Sequence, residues 1–189
     1  MDKRKVIIVT DGDMVAKGAV EQAAKNINGR CISSSAGNPT MKTGEFIKEQ
    51  IKKTPHDPVV VMVDDRGVLG HGKGEEVISN ICNDEEIQVL GVVAVASNME
   101  RGEGITVDAS VTNTGQVINQ AVDKNGNKRE DNVCYGDTLS ILKDLDIPII
   151  IGIGDPGKMN FKDEIKKGAP ITTKALKEIL VRSGFYSDN

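Results

Sequence analysis

Aspartate residues stand in three short segments, each of which follows an apolar run. Asp11 and Asp13 come after "KVIIVT", Asp64 and Asp65 come after "VVVMV", and Asp155 stands in "GIGDPG". Carboxylate oxygens are the ligands that hard cations such as Mg²⁺ and Ca²⁺ prefer. If the fold brings these segments together, the sequence predicts a ligand or metal site with these candidates: Asp11, Asp13, Asp64, Asp65 and Asp155.

A structural role is the alternative for each of these aspartates. A carboxylate just before a helix accepts hydrogen bonds from the free backbone N–H groups and interacts favourably with the helix dipole, which stabilises the helix by about 0.5–2 kcal/mol. Asp64 and Asp65 are adjacent, so in an extended chain they point to opposite sides. The sequence favours capping over metal-assisted catalysis.

Glycines near these aspartates imitate the spacing of a phosphate-binding loop. Gly152 and Gly157-Lys158 have that spacing, but Met159 replaces the Ser or Thr that would hold magnesium, and Pro156 removes one N–H donor. Gly67 and Gly72-Lys73 form a second incomplete match. A nucleotide-binding regulatory module is therefore the weakest alternative. The loop glycines serve better as sharp turns at strand ends, and they are Gly12, Gly67, Gly154 and Gly157.

The acidic segments also resemble two classes of metal-dependent phosphoryl-transfer enzyme. Haloacid dehalogenase-type enzymes have D-x-D after their first strand, and Toprim domains have an acidic residue there and D-x-D after a later strand. This chain departs from the first class at Met14 and from its later motif at Lys158-Met159-Asn160. A phosphoryl-transfer or nuclease-like enzyme with an acidic site is the alternative to a non-catalytic protein.

Alternation of apolar runs with helical patterns predicts the fold class. Continuous apolar runs indicate buried parallel strands, and the patterns between them indicate amphipathic helices. The result is a three-layer, doubly wound α/β fold with a mostly parallel sheet, in which the carboxyl ends of the strands share one edge. We expect one domain, residues 1–189, with strands at 5–10, 30–35, 59–65, 87–97 and 147–154, and helices at 15–27, 41–53, 73–83, 138–145 and 171–184.

Residues 104–127 break the alternation. Apolar and polar residues alternate there, and Asn113-Thr114-Gly115 predicts the turn of a β-hairpin spanning residues 104–122. This hairpin is also the expected place for an apolar contact surface or for pairing with a second copy of the chain. An ordinary extension of the sheet is the other alternative.

Composition limits the classes of function. The chain has 189 residues, a net charge of -4 and no Trp, which argues against a nucleic-acid partner. No apolar run reaches the roughly 18 residues of a membrane span, and the start lacks the pattern of a signal peptide. Cys31, Cys82 and Cys134 are widely spaced, so we expect reduced thiols rather than a disulfide framework or a zinc site.

Several separated segments resemble the soluble stage V sporulation protein AE family of spore-forming Firmicutes. They include "KRKVIIVTDGDMVAKGAVEQAAKNINGRCISSSAGNPT", "TPHDPVVVMVDDRGVLGHGKGE", "VLGVVAVAS", "IGIGDPGKMN" and "GAPITTKALKEILVRSGF". The similarity runs from about residue 3 to about residue 186, and it is least clear over residues 100–134.

The resemblance implies a non-catalytic accessory role in sporulation and spore germination. Members are encoded beside the other stage V A-type proteins, which move dipicolinic acid with calcium into the spore and release it on germination. The implied location is the spore, peripheral at its inner membrane, with those proteins as partners. No catalytic residue carries over. The resemblance gives no certain cofactor. Together with the acidic cluster it suggests a ligand at the acidic edge, either a divalent cation, Ca²⁺ or Mg²⁺, or an anion.

Overall fold

The fold is known from a computed structural model that describes residues 2–66, 72–97, 104–136 and 138–187. The described residues form nine strands and four α-helices. The strands are β1 (Arg4–Val9), β2 (Arg30–Cys31), β3 (Val59–Met62), β4 (Ile87–Val95), β5 (Ile105–Thr106), β6 (Ala109–Val111), β7 (Val117–Ile118), β8 (Val133–Cys134) and β9 (Ile150–Ile153). The helices are α1 (Met14–Asn26), α2 (Gly44–Lys53), α3 (Lys73–Cys82) and α4 (Pro170–Arg182).

Seven strands form one sheet in the order β2-β3-β1-β4-β9-β6-β7. All neighbours in it are parallel except β6 and β7, which pair antiparallel. The predicted mostly parallel α/β sheet is thus confirmed. Because parallel strands run in one direction, Asp11, Asp64 and Asp155 all follow the carboxyl ends of their strands at the same edge.

Helices cover both faces of the sheet. Side chains of β1 alternate between two buried clusters: Ile7 and Val9 join one, and Val6 and Ile8 join the other. The first cluster contains the apolar faces of α1 and α4, and the second contains those of α2 and α3. This double coverage explains why the strands read as continuous apolar runs rather than as alternating ones.

The predicted hairpin is present and extends the main sheet. Val111 pairs with Val117 across the turn, while Ala109 pairs in parallel with Ile151 of β9. A second, two-stranded sheet joins β5 to β8, with Ile105 opposite Cys134. The hairpin and the segment after it therefore form a cap beside β9, at the edge of the sheet that lies opposite β2.

Two predicted elements were wrong in type or extent. The strand at 30–35 ends at Cys31, and Ser33–Ser35 forms a 3₁₀ turn in which the Ser35 hydroxyl donates to the Ile32 carbonyl. The predicted helix at 138–145 is a short 3₁₀ turn, Ser140–Lys143. The helix predicted at 171–184 is present as α4, which begins at Pro170. Serine and threonine hydroxyls bond nearby backbone groups and shift such boundaries.

Candidate acidic edge of the sheet

Thr10 ties β1 to β4 just below the acidic edge. Its hydroxyl donates to the Val93 carbonyl at 3.4 Å and accepts from the Val95 N–H at 3.0 Å. The Thr10 N–H also donates to the Val93 carbonyl at 3.1 Å, so the hydroxyl takes the place of a backbone carbonyl only as the acceptor for the Val95 N–H. Asp11 follows directly, in the crevice that opens between the two strands.

Asp11 is the most perturbed carboxyl group at this edge. Only 9% of its surface is exposed, and its Oδ1 accepts the Asp13 N–H at 3.2 Å. Burial, with smaller repulsions from Asp13, Asp155 and Asp64, raises the pKa of Asp11 from 3.8 to about 8. Asp11 therefore carries a proton at neutral pH, and the four carboxyl groups lie close enough to influence one another.

Asp13 and Asp155 face each other across the start of α1. Asp13 caps this helix, because its Oδ1 accepts the N–H groups of Val15 and Ala16, each at 2.8 Å. Asp155 Oδ1 accepts the Gly157 N–H at 2.7 Å in the turn after β9. Burial raises the pKa of Asp155, and repulsion from Asp13 raises it further, while the Gly157 N–H and Lys158 lower it.

Asp64 closes the edge on the side of β3. Its Oδ1 accepts the Arg66 N–H at 2.7 Å, and its Oδ2 lies 3.4 Å from the Gly12 nitrogen. Its backbone exchanges two hydrogen bonds with Thr40, so the 36–40 loop is held against the end of β3. Asp64 thus connects two neighbouring loops of the edge.

Asp65 points to the other side, as its adjacency to Asp64 predicts. Its carboxylate accepts the Gly74 N–H at 2.6 Å and the Glu75 N–H at 3.2 Å, at the first turn of α3. Burial raises its pKa, and the Gly74 N–H and the nearby Thr138 hydroxyl lower it. The structure therefore brings together Asp11, Asp13, Asp64 and Asp155, and it separates Asp65 from them.

All five aspartates accept at least one backbone N–H, but only Asp13 and Asp65 do so at the start of a helix, as the capping alternative predicts. Asp11, Asp64 and Asp155 accept N–H groups within turns instead. Among the residues that the structure describes, no group of three or more Asp, Glu, His or Cys side chains is arranged to hold a metal ion. The metal-binding role of these aspartates stays a prediction.

The family of the chain follows from a comparison with known proteins. The profile of the family described as Stage V sporulation protein AE1 (SpoVAE) matches residues 5–183. The chain belongs to the SpoVAE family. Membership of the SpoVAE family implies a sporulation-related role, and the name of the family suggests that it belongs to the SpoVA group of sporulation proteins. No curated protein and no solved structure matches it.

Glycines of the SpoVAE chain allow close packing at the edge rather than a phosphate cradle. A Cβ at Gly12 would lie 2.7 Å from the Gly37 carbonyl oxygen, and one at Gly154 would lie 2.5 Å from the Gly126 nitrogen. Gly157 contributes the N–H that Asp155 accepts. Gly67 lies outside the described residues.

The residues that imitate a phosphate loop do not form one. Gly152 lies inside β9 and pairs with Ser110 of β6, where a Cβ would meet the Ser110 hydroxyl at 2.5 Å. A tight turn, not an α-helix, follows Asp155, so no helix N-terminus is presented to an anion there. This outcome concerns the 152–159 match, since most of the second match, residues 67–73, lies outside the described residues.

Sequence reasoning missed Asp163, the most thoroughly buried carboxylate of the described residues. It accepts four hydrogen bonds from the Ile171 N–H, the Thr172 N–H and the Thr172 hydroxyl, and so it caps α4 from seven residues away. Burial raises its pKa, and these bonds lower it. Since the loop between Asp163 and Pro170 has no regular period, no local pattern indicates this cap.

Proposed function

We propose that the chain is a non-catalytic accessory protein of sporulation and spore germination. In this proposal it works beside the system that moves dipicolinic acid across the spore inner membrane. Membership of the SpoVAE family supports the sporulation role. The observation that supports a non-catalytic role is that every candidate carboxylate is engaged by backbone N–H groups of its own turn or of a helix start.

A catalytic carboxylate contacts a substrate or a metal ion. The carboxylates of this edge instead accept hydrogen bonds from backbone N–H groups of the chain itself. Removal of a cap costs about 0.5–2 kcal/mol of stability, so a structural role accounts for aspartate at the helix starts, at Asp13 and Asp65. None of the described helices is long and apolar enough to cross a bilayer. In our proposal, the chain is peripheral to the membrane and works through the other stage V A-type proteins.

The test of this proposal is capture of the chain's partners from spores. A tagged chain is expressed from its own promoter, spore membranes are solubilised in mild detergent, and captured proteins are identified by mass spectrometry. We expect enrichment of other stage V A-type proteins over a tagged unrelated spore protein. Recovery of the chain only from the soluble spore fraction, without those proteins, would contradict the proposal.

A cation site is the second candidate, and one observation favours it. Asp11, Asp13, Asp64 and Asp155 are near enough to raise the pKa of Asp11 to about 8. Like charges held together in a buried place favour either a proton or a cation. If this candidate is correct, the edge takes Ca²⁺ or Mg²⁺, alone or with dipicolinate, and the enzyme alternative gains support.

Calorimetry at two pH values tests the cation site. A cation must displace the proton of Asp11, so binding strengthens by up to about tenfold for each pH unit between pH 6 and pH 8. Titrations use CaCl₂, MgCl₂ and dipicolinate, separately and mixed, on the wild type and on Asp11→Asn. Absence of heat at millimolar ligand at both pH values removes the site and leaves the accessory role unaffected.

A further inference from the structure

Exposed apolar side chains gather where the loop after β9 packs on the first turns of α1. Met14 is 78% exposed, Phe161 74%, Ile165 55% and Val15 54%. Two contacts join the loop after β9 to α1. A Cβ added at Gly157 would lie 3.7 Å from the Val15 side chain. The Ile165 side chain occupies the space that a side chain at Gly18 would need. We call residues 14–15 and 157–167 the loop surface.

The backbone of this loop holds Phe161 outward. Asn160 and Phe161 both have left-handed backbone angles, with φ of 48° and 58°. A bulky residue rarely adopts this conformation, which costs roughly 1 kcal/mol or more. Lys167 fixes it, because its ammonium group donates to the Phe161 carbonyl at 2.7 Å. The backbone is therefore strained at Phe161, and the aromatic ring of this residue is exposed to solvent.

The loop surface is basic, although the chain is acidic. Residues 157–167 contain four lysines and two acidic residues, a net charge of +2, while the chain carries -4. The remaining residues therefore carry -6. Asp163 is fully buried at the start of α4, and Glu164 pairs with Lys167 at 3.6 Å, so Lys158, Lys162 and Lys166 set the charge that faces solvent.

The acidic edge is adjacent to the loop surface. Asp13 and Asp155 accept backbone N–H groups of α1 and of the 155–157 turn, and Asp11 is buried. Lys158 lies near enough to Asp155 to lower its pKa. An anionic partner that approaches Phe161 therefore meets exposed lysine ammonium groups, with these hydrogen-bonded carboxylates beside them.

We propose that the loop surface docks on an anionic lipid bilayer, with Phe161, Met14 and Ile165 entering the interface and Lys158, Lys162 and Lys166 on the headgroups. Protein interfaces are depleted in lysine and enriched in arginine, whereas lysines around apolar side chains are typical of surfaces that lie on anionic membranes. The long lysine side chains keep their charge in water while their stems contact the apolar layer. This inference deepens the proposed function, since it gives the chain a direct route to the membrane.

Vesicle flotation tests the proposal. The wild-type chain is mixed with phosphatidylcholine vesicles that contain equal parts of phosphatidylglycerol, or with phosphatidylcholine alone. We expect flotation with the anionic vesicles only, weakened by salt. The triple variant Lys158→Glu, Lys162→Glu, Lys166→Glu should lose about 100-fold or more in affinity, because each lysine near such a surface contributes about 1 kcal/mol.

Matched variants keep the test independent of folding. Phe161→Asn removes the ring and suits a left-handed backbone, so the chain stays folded by circular dichroism while lipid affinity falls about tenfold. Controls with the same chemistry elsewhere, Met41→Ser and the triple variant Lys3→Glu, Lys42→Glu, Lys53→Glu, should bind vesicles within about twofold of the wild type.

Two outcomes overturn the lipid proposal. The first is a wild-type chain that floats with neither kind of vesicle, or loop-surface variants that bind as well as their controls. The second is a wild-type dimer in light scattering that Phe161→Asn dissociates, which makes the surface an interface between copies. Neither outcome affects capture of stage V A-type partners, so failure of this inference is distinguishable from failure of the proposed function.

Discussion

Asp11 is the residue whose protonation decides how the acidic edge responds to pH. Its pKa rises from 3.8 to about 8 in the folded chain, so the folded state binds a proton that the unfolded state releases above pH 4. Stability therefore falls as pH rises from about 4 to about 8, and the loss is complete above the folded pKa.

Asp11→Asn replaces the protonated carboxyl group with a neutral one of the same shape. We expect the variant to be more stable than the wild type at pH 9 by about 2 kcal/mol or more, with the difference vanishing near pH 4. Urea unfolding followed by circular dichroism across this range measures it. Parallel pH profiles for variant and wild type would show that Asp11 does not titrate in this window.

Asp163 and Asp13 offer a comparison between a buried and a half-buried helix cap. Asp163→Ala leaves the N–H groups of Ile171 and Thr172 without their acceptor inside the protein, so we expect a loss of about 3 kcal/mol. In Asp13→Ala, the N–H groups of Val15 and Ala16 lose their acceptor but can bond water, so we expect a loss of about 1 kcal/mol in the free energy of unfolding. Equal losses in urea unfolding would contradict the assigned difference in burial.

At the scale of elements, the cap formed by residues 104–136 is held to the sheet through Gly154. The Asp155 N–H donates to the Lys124 carbonyl at 2.9 Å, and Gly126 packs against Gly154 without room for a side chain. The turn after β9 and the 123–127 turn therefore form one packed unit above the end of the sheet.

Gly154→Ala should disrupt the packing of the turn after β9 against the 123–127 turn. Its Cβ would meet the Gly126 backbone at 2.5 Å and the Met159 sulfur at 2.8 Å, so we expect a loss of about 2–3 kcal/mol and faster hydrogen exchange at Gly126 and Asp155. Gly157→Ala is the control, since its Cβ meets only the Asp155 carboxylate and the Val15 side chain. A control as destabilised as Gly154→Ala would refute the contact.

The sequence predicted the long elements and missed the short ones for physical reasons. Strands β1, β3 and β4 are buried on both faces, which makes them continuous apolar runs, and α1 has an evident cap in Asp13. The acidic edge could be predicted because the loops that follow parallel strands all lie at the same edge of the sheet. By contrast, β5 and β8 have two residues each and pair with each other across a long stretch of chain, with Ile105 opposite Cys134.

The sequence did not predict the loop surface. The sequence placed an expected apolar contact surface in the hairpin of residues 104–122, where Val117 and Ile118 are instead half-buried. The exposed apolar side chains of the described residues lie at α1, before and within α2, in the loop after β9 and near the end of α4. Phe161 stands among polar residues, so only its backbone angle and exposure distinguish it from a core residue.

At the scale of the whole molecule, the acidic edge and the neighbouring loop surface differ in their charge and in their exposed apolar side chains. The acidic and glycine-rich edge is packed by its own loops, while the adjacent loop surface carries positive charge and exposed apolar groups. A doubly wound sheet supplies the rigid support for both. This arrangement supports our proposal that the chain binds at a membrane beside partner proteins.

The most direct test of the account is the release of dipicolinic acid from spores that lack the chain. Spores of a deletion strain and of the same strain complemented with the wild-type gene are given a germinant, and released dipicolinic acid is followed by terbium fluorescence. We predict slower release without the chain and full restoration by the wild-type gene. Deletion spores that store and release dipicolinic acid at the wild-type level and rate would contradict the account.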